Sequence, residues 1–402
     1  MANESVEMKI GVKIEDPIPV IDLEKEISSL GAAIQEKDAA TPKFVGDPVK
    51  HFKGLKKIEI SEKMYEDARK ENISLSEKLE EVDPSGQYSP IRSDRGEIRL
   101  DAFERQLAIR GLSVFGRSAV SLDAFYQNPS NRTLFPEFIN RQVRVGRLMA
   151  TLDAKVADLI AAETSVDSQT YESSEASDSS DNASLKDVKE GAAFPALTIS
   201  FTEQPVKLRK YGRKIKATYE YLRRQKVNVF AIVLQFIGMR MEKDESAAAV
   251  DVLLNGNTGN SNGAGNTNVA AGGTLAYADM VQLLLDMGAN GGFDLQKILS
   301  NRTRGKGILT MAEFADVVTG TEFARTGAMV TPFGGKFLLA DSLATNLVLG
   351  VDTRFAMIKV TEEGAALTET QKLIDTQWQE VVISEYIAFV KFFANAARKL
   401  TI

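Results

Sequence analysis

One stretch constrains the fold more than any other. From Val227 to Leu254, Phe230, Leu234, Ile237, Met241, Ala248 and Val252 recur at steps of three, four or seven. Apolar residues at that spacing line one side of an α-helix, and at ~1.5 Å per residue this one is about 40 Å long. Arg240, Lys243 and Asp244 put charge on its outer side, as expected of a helix lying along a sheet. It stops at Asn255-Gly256, a helix-ending pair. The next residues, 257–273, are almost wholly Gly, Asn, Thr, Ser and Ala, a flexible loop by composition.

The segments before this helix carry opposite charge. From Glu163 to Glu190 there are eight acids (Glu163, Asp167, Glu172, Glu175, Asp178, Asp181, Asp187, Glu190) and two lysines around a serine-rich centre. With few apolar residues the segment reads as a solvated loop. From Pro205 to Lys226 there are nine lysines and arginines, among them Lys207, Arg209, Lys210, Arg213, Lys214 and Lys216, against one acid, Glu220. Leu197, Ile199 and Phe201, with Ile215, Ala217 and Tyr219 beyond a turn at Gly212, suggest the two arms of a long hairpin.

Upstream, Met8, Ile10, Val12 and Ile14 alternate as in a strand, and Leu23, Ile27, Leu30 and Ile34 are spaced as in a helix. Lys57 to Ile60 predicts a short strand. A charged helical stretch ending near Asp83-Pro84 follows, with Ser74 and Glu77 at capping-box spacing. Leu100, Phe103 and Leu107 mark a helix, and a looser stretch runs through Pro129 to Ile139. Downstream, helices are expected over Tyr277 to Met287 and Ala312 to Val318. Strands are expected over Lys336 to Ala340, Leu347 to Val351, Ala356 to Val360 and, as one strand or a pair, Val381 to Val390. The class is α+β.

Composition removes whole classes of chemistry. There is no cysteine, so no disulfide and no thiolate site. The single histidine, His51, reads as a loop residue and leaves no triad or two-histidine metal site. Gly334-Gly335-Lys336-Phe337 fails the phosphate-loop pattern at both ends, and the glycines of 256–265 follow a helix instead of linking a strand to one. Asn131-Arg132-Thr133 and Asn301-Arg302-Thr303 match a glycosylation sequon by chance, because Met1-Ala2-Asn3-Glu4 opens no signal peptide. No enzyme activity, cofactor or metal is expected. The formal charge of −6 limits any nucleic-acid contact to a local or weak one, and no window is apolar enough to span a membrane.

The order of acidic extended loop, basic arm, long helix ending in Leu253-Leu254-Asn255-Gly256, glycine-rich loop and α+β domain resembles the tailed-bacteriophage major capsid family, with its Hong Kong 97-type fold. Phe135-Pro136-Glu137-Phe138-Ile139 followed by Arg141-Gln142-Val143-Arg144-Val145-Gly146 looks like the end of that family's N-terminal arm. Glu242-Lys243-Asp244-Glu245 leading through Ala247-Ala248-Ala249 is similar to its spine-helix ending. The resemblance implies an N-terminal extension (1–95), an N-arm (96–150), an E-loop hairpin (151–215), a P-domain with the spine helix (216–272) and an A-domain (273–402). Packing of that helix is expected through Phe230, Leu234, Ile237, Met241 and Val252.

The implied function is a subunit that assembles with itself, as pentamers and hexamers, into an icosahedral shell around double-stranded DNA. Its implied place is the virion, with assembly in the host cytoplasm and with portal, scaffolding or decoration proteins as further partners. An encapsulin-like compartment enclosing cargo protein is the alternative. Lys186 and Lys189 could donate to the family's lysine–asparagine cross-link, but no asparagine stands near Ala365 to Thr376, so no cross-link is expected. The acidic loop is expected to reach over the basic arm of a neighbouring subunit.

Overall fold

The computed structural model describes residues 56–71, 73–88, 91–93, 96–114, 119–149, 153–172, 174–175, 187–191, 200–201, 205–257, 263–289, 292–311, 334–364 and 367–402. Expectations for residues 8–34, His51, Lys186, Leu197, Ile199 and 312–318 lie outside them.

The first described elements are α1 (Glu62–Lys70) and α2 (Leu75–Val82). The single charged helix expected here is thus two, broken at the cap of the second. Ser74 accepts from the Glu77 amide and Glu77 from the Ser74 amide, the reciprocal capping box its spacing required. Residues 57–60 form no strand. Ile58 and Ile60 are buried, and the Ile58 amide donates to Gln106 Oε1, so a side chain takes the place of a neighbouring strand.

A small hairpin, β1 (Ile91–Ser93) with β2 (Gly96–Ile98), leads into α3 (Ala102–Ile109), itself started by an Asp101–Glu104 capping box. The stretch expected to be loose is helical: α4 (Ala124–Gln127), α5 (Pro129–Arg132) and the 14-residue α6 (Phe135–Leu148). The prolines do not interrupt these helices. Each sits in a first helical turn, where its missing N–H costs nothing.

Next come β3 (Ala162–Val166), β4 (Thr170–Tyr171), β5 (Ser174–Glu175), β6 (Ser200–Phe201), β7 (Val206–Lys207) and β8 (Arg209–Thr218). Then α7 (Tyr219–Arg224) precedes the long helix α8 (Val227–Asn255), which ends at Gly256 with φ of 84°. The glycine- and asparagine-rich segment contains a strand, β9 (Gly265–Asn268). Its Thr267 and Asn266 bond to Asp286, Arg398 and Thr401, which holds extended a sequence that composition alone leaves free. After α9 (Tyr277–Ala289), β10 (Lys297–Ser300) and α10 (Arg302–Leu309) come β11 (Lys336–Leu339), β12 (Leu347–Val351), β13 (Met357–Glu362), β14 (Leu367–Leu373), β15 (Trp378–Lys391) and β16 (Ala397–Thr401). The apolar run at 381–390 is one strand, and the class is α+β as expected.

Two five-stranded sheets organise these elements. One has the order β11-β10-β12-β16-β9, packed on α9 and the C-terminal end of α8. In the other, β15 pairs with β13, β14 and β8, and β3 joins in parallel to β13. Alternate residues of β15 serve opposite faces: Val381, Ile383 and Ile387 meet the helices, whereas Tyr386, Ala388 and Val390 pack outward with Val206, Leu208 and Val360.

A third body of core unites residues from α2, α3, α6 and the first half of α8, including Leu79, Phe103, Phe135, Phe138, Phe230 and Leu234. The described part of the N-terminal extension therefore shares its core with the long helix. Arg105, wholly buried, is held at 3.1 Å by Asp83, and it also donates to Leu100 O and Ser85.

Helices α6 and α8 cross at two glycines. A Cβ on Gly146 would lie 2.0 Å from Gln235 O, and one on Gly238 2.1 Å from Val143 O. Gly238 in mid-helix is tolerated, at roughly 1 kcal/mol in propensity, because only a bare backbone lets the two helices approach this closely.

Gly238→Ala is expected to destabilise the subunit by about 1–3 kcal/mol despite alanine's better helix propensity, as is Gly146→Ala, read from urea unfolding curves. Asp83→Ala, which strands a buried guanidinium, should cost about 3–5 kcal/mol in the same measurement.

Candidate intersubunit surface

The residues singled out by charge and periodicity occupy three neighbouring places. Strand β4 pairs antiparallel with β7 and β5 with β6, as the two arms of a hairpin do. This corrects the expected pairing. Phe201 faces Ser174, and Ile215 and Ala217 belong instead to β8, which runs straight through Gly212 along β15. Gly212 makes no turn. A Cβ there would lie 2.9 Å from Ile383 O, so the glycine permits close strand approach.

The acidic residues are spread along this unit. Glu163 lies on β3, with its carboxylate 3.4 Å from Lys359 of the adjoining strand β13. Asp167 is exposed beside a cleft of about 410 Å³ shared with Glu66, Arg69, Lys70, Glu363 and Gly364. Glu172 is exposed on the outgoing arm, Glu175 is in β5, and Asp187 and Glu190, between β5 and β6 in the chain, are exposed. Asp178 and Asp181 lie outside the described residues.

The basic residues divide in two. Lys214 and Lys216 both pair with Glu380 of β15 in the same chain, Lys216 at 2.9 Å, and these bonds, the one from Lys214 first, hold the Glu380 carboxyl below its usual range. Lys210 lies over the Tyr386 ring at 5.4 Å. Lys207, Arg209 and Arg213 are exposed and have no ion-pair partner among the described residues.

On the long helix, Phe230, Leu234 and Met241 are buried, with Ile237 and Val252 packed against the core clusters. A second apolar stripe was missed. Val229, Ile232, Val233 and Phe236 recur at the same helical steps on the solvent side, Ile232 64% exposed and Phe236 52%, and Leu148 and Met149 at the end of α6 are equally open. The signal was present in the sequence, since a stretch this apolar all round has either two covered sides or one left for a partner.

Beneath the sheet lies a buried charged joint. Arg147 of α6 reaches Glu245 of α8 at 2.7 Å and Glu385 of β15 at 2.5 Å. Lys359 of β13 lies 3.9 Å from Glu245, and Glu242, one turn before, accepts from the Val156 amide. Burial raises the Glu245 carboxyl to about 8, against the pull of Arg147 and aided by Glu385. For Glu385 burial also works upward, but Arg147, the hydrogen bond with Glu245 and Lys359 outweigh it and keep that carboxyl low. Sequence reading missed this group because its members lie up to 238 residues apart.

Among the described residues no group of three acidic or histidine side chains is placed to hold a metal ion, and no helix is long and apolar enough to cross a membrane.

Comparison with curated proteins found no match. Among solved structures, the chain is similar to the capsid of a native GTA particle, with TM-score 0.46, 12% identity and 60% of this chain aligned to 88% of that one. It is also similar to a chain of Microbacterium phage Oxtober96, with TM-score 0.44, 12% identity and 63% aligned to 92%. A third is the holo-SrpI encapsulin complex of Synechococcus elongatus, with TM-score 0.39, 11% identity and 61% aligned to 86%. Residues 202–391, which hold the basic strand, the long helix and most of both sheets, match the family model described as phage capsid protein. That match covers just under half of the chain, and the family it describes is the one that the order of elements resembled.

Proposed function

We propose that this chain is the major capsid subunit of a tailed phage, which assembles with itself into a closed shell around double-stranded DNA. The observation that carries the reading is the family match over residues 202–391. The geometry supports it. A two-stranded hairpin, cations on β8 without an ion-pair partner among the described residues and an exposed apolar stripe along α8 are features that a lattice of copies can use.

In the proposed shell, the acidic residues between β5 and β6 in the chain, Asp187 and Glu190, meet Lys207, Arg209 and Arg213 of a neighbour. Lys214 and Lys216, engaged by Glu380, keep their own sheet in register. Each exposed contact is worth only about 0–1 kcal/mol and is screened by salt, so charge sets register while apolar burial supplies affinity. The net charge of −6 makes contact with packaged DNA weak and non-specific. Portal, scaffolding and decoration proteins would complete the particle, the divisions at 95, 150, 215 and 272 would be those of extension, N-arm, E-loop, P-domain and A-domain, and the subunit's place would be the virion.

Light scattering behind size exclusion, followed by negative-stain electron microscopy of the heaviest fraction, is expected to show rings of subunits or closed shells. Nucleic acid inside those made during infection would bear out the genome role, and protein cargo alone would reject it. A chain that stays monomeric with a scaffold supplied would overturn the reading altogether.

Reversing Arg209 and Arg213 to Glu should raise the concentration needed for assembly by about three- to tenfold at low salt, and less at high salt. Reversing Asp187 and Glu190 to Lys in the same chain should restore part of it. Light scattering during assembly reads both effects.

A further inference from the structure

The buried joint between helices and sheet holds more acid than base. Four carboxyls, Glu163, Glu242, Glu245 and Glu385, stand around two cations, Arg147 and Lys359. They come from every element packed there: Arg147 from α6, Glu242 and Glu245 from α8, Lys359 from β13, Glu163 from β3 and Glu385 from β15. On the other flank of α8, Lys243 is 2.6 Å from Asp341 and so is not available to the joint. Glu163 is half exposed and Glu242 is satisfied by a backbone amide, so the unresolved competition is between Glu245 and Glu385 for the one guanidinium of Arg147.

We propose that Glu245 and Glu385 share a single proton, and that this proton locks the α6–α8 helix pair onto the sheet. With the proton in place the pair carries one negative charge, which Arg147 balances, and Glu245 donates to Glu385. When the proton leaves, two charged and largely buried carboxylates divide Arg147 between them, with Lys359 drawn also to Glu163, and the hold of the helix pair on β15 weakens. Glu245 is the proton's seat, since its carboxyl is the one raised by burial and by Glu385, whereas Glu385 is the one held low. The coupling lies within one chain and holds whether or not that chain builds a shell.

The pH window follows from the direction of the shift. A carboxyl with its folded-state value above its unfolded one contributes stability that is complete below the unfolded value, near 4.5, and is lost as pH rises to about 8. Through that interval this group lowers the folding equilibrium constant by up to about tenfold per pH unit, while Glu385, held low, contributes oppositely only at acid pH.

The test is the full chain against Glu245→Gln, which keeps the shape and a hydrogen-bond donor while removing the titration. Urea unfolding between about pH 6 and pH 9, with hydrogen exchange corrected for intrinsic rate, reads stability and the protection of α6, α8 and β15. The wild type should lose stability and protection at the joint as pH rises; the variant should keep its protection there and retain only the weaker dependence that Glu104 and Glu137, also raised by burial, contribute. Equal pH dependence in both proteins would overturn the proposal. If the variant does not fold, the infrared carbonyl band of a protonated carboxylic acid decides in a chain carrying Glu104→Gln and Glu137→Gln, which removes the two other carboxyls raised by burial. Present at neutral pH and gone above about pH 9, it supports the shared proton. Its absence at neutral pH refutes it.

Discussion

The crossing of α6 and α8 at Gly146 and Gly238 is the constraint on which the rest of the molecule depends. Each glycine lies against a backbone carbonyl of the other helix, at a distance no side chain can enter. That contact brings the end of α6 down to the sheet and lets Arg147, the residue after Gly146, reach both Glu245 and Glu385. It also aligns Phe135 and Phe138 with Phe230, so the core that ties the N-terminal segments to the long helix closes around the same crossing.

The long helix then serves two cores. Its first half belongs with α2, α3 and α6, and its last turns with α9 and the sheet of β9 to β12 and β16. A rigid helix shared in this way makes the two halves move as one, a useful property in a subunit whose neighbours must be met at fixed angles. Its C-terminus is secured by Lys391, almost wholly buried, whose ammonium donates to Leu253 O and so places a positive charge at the negative end of the helix dipole. Charge is used differently at the surface. There Lys243, Arg302, Asp153 and Asp341 form a solvated network between α8, α10 and the strand ends, and no one pair in it carries much energy.

Much of the fold was legible before any coordinates. The helix Val227–Asn255, the helix Tyr277–Ala289, the strand Leu347–Val351 and the capping box at Ser74 all announce themselves within a window of a few turns, because periodicity and capping are local chemistry. The errors have a common cause. Gly212 was taken for a turn and Gly265–Asn268 for a loop because each residue type was judged by its usual role. Each is in fact set by a partner distant in sequence: β15 beside Gly212 and β16 beside Asn266. Of the candidate surface, the charged residues were found, yet which of them are already engaged was not, since Lys214 and Glu380 are separated by more than half the sheet-forming sequence.

By itself the sequence determined the kind of protein this is: an α+β chain without cysteine, with one histidine, a long helix, an acidic hairpin and a basic strand, in an order that resembles a capsid subunit. Composition and short-range pattern suffice for that, because they decide which residues must be buried and which chemistry is absent. Only the tertiary structure decided which charges are satisfied within the chain, which apolar side of α8 is left open, and that the buried Glu245 and the part-buried Glu385 meet the same arginine. Those outcomes depend on which surfaces come within a few ångströms of each other, and a one-dimensional pattern holds no distance across the fold.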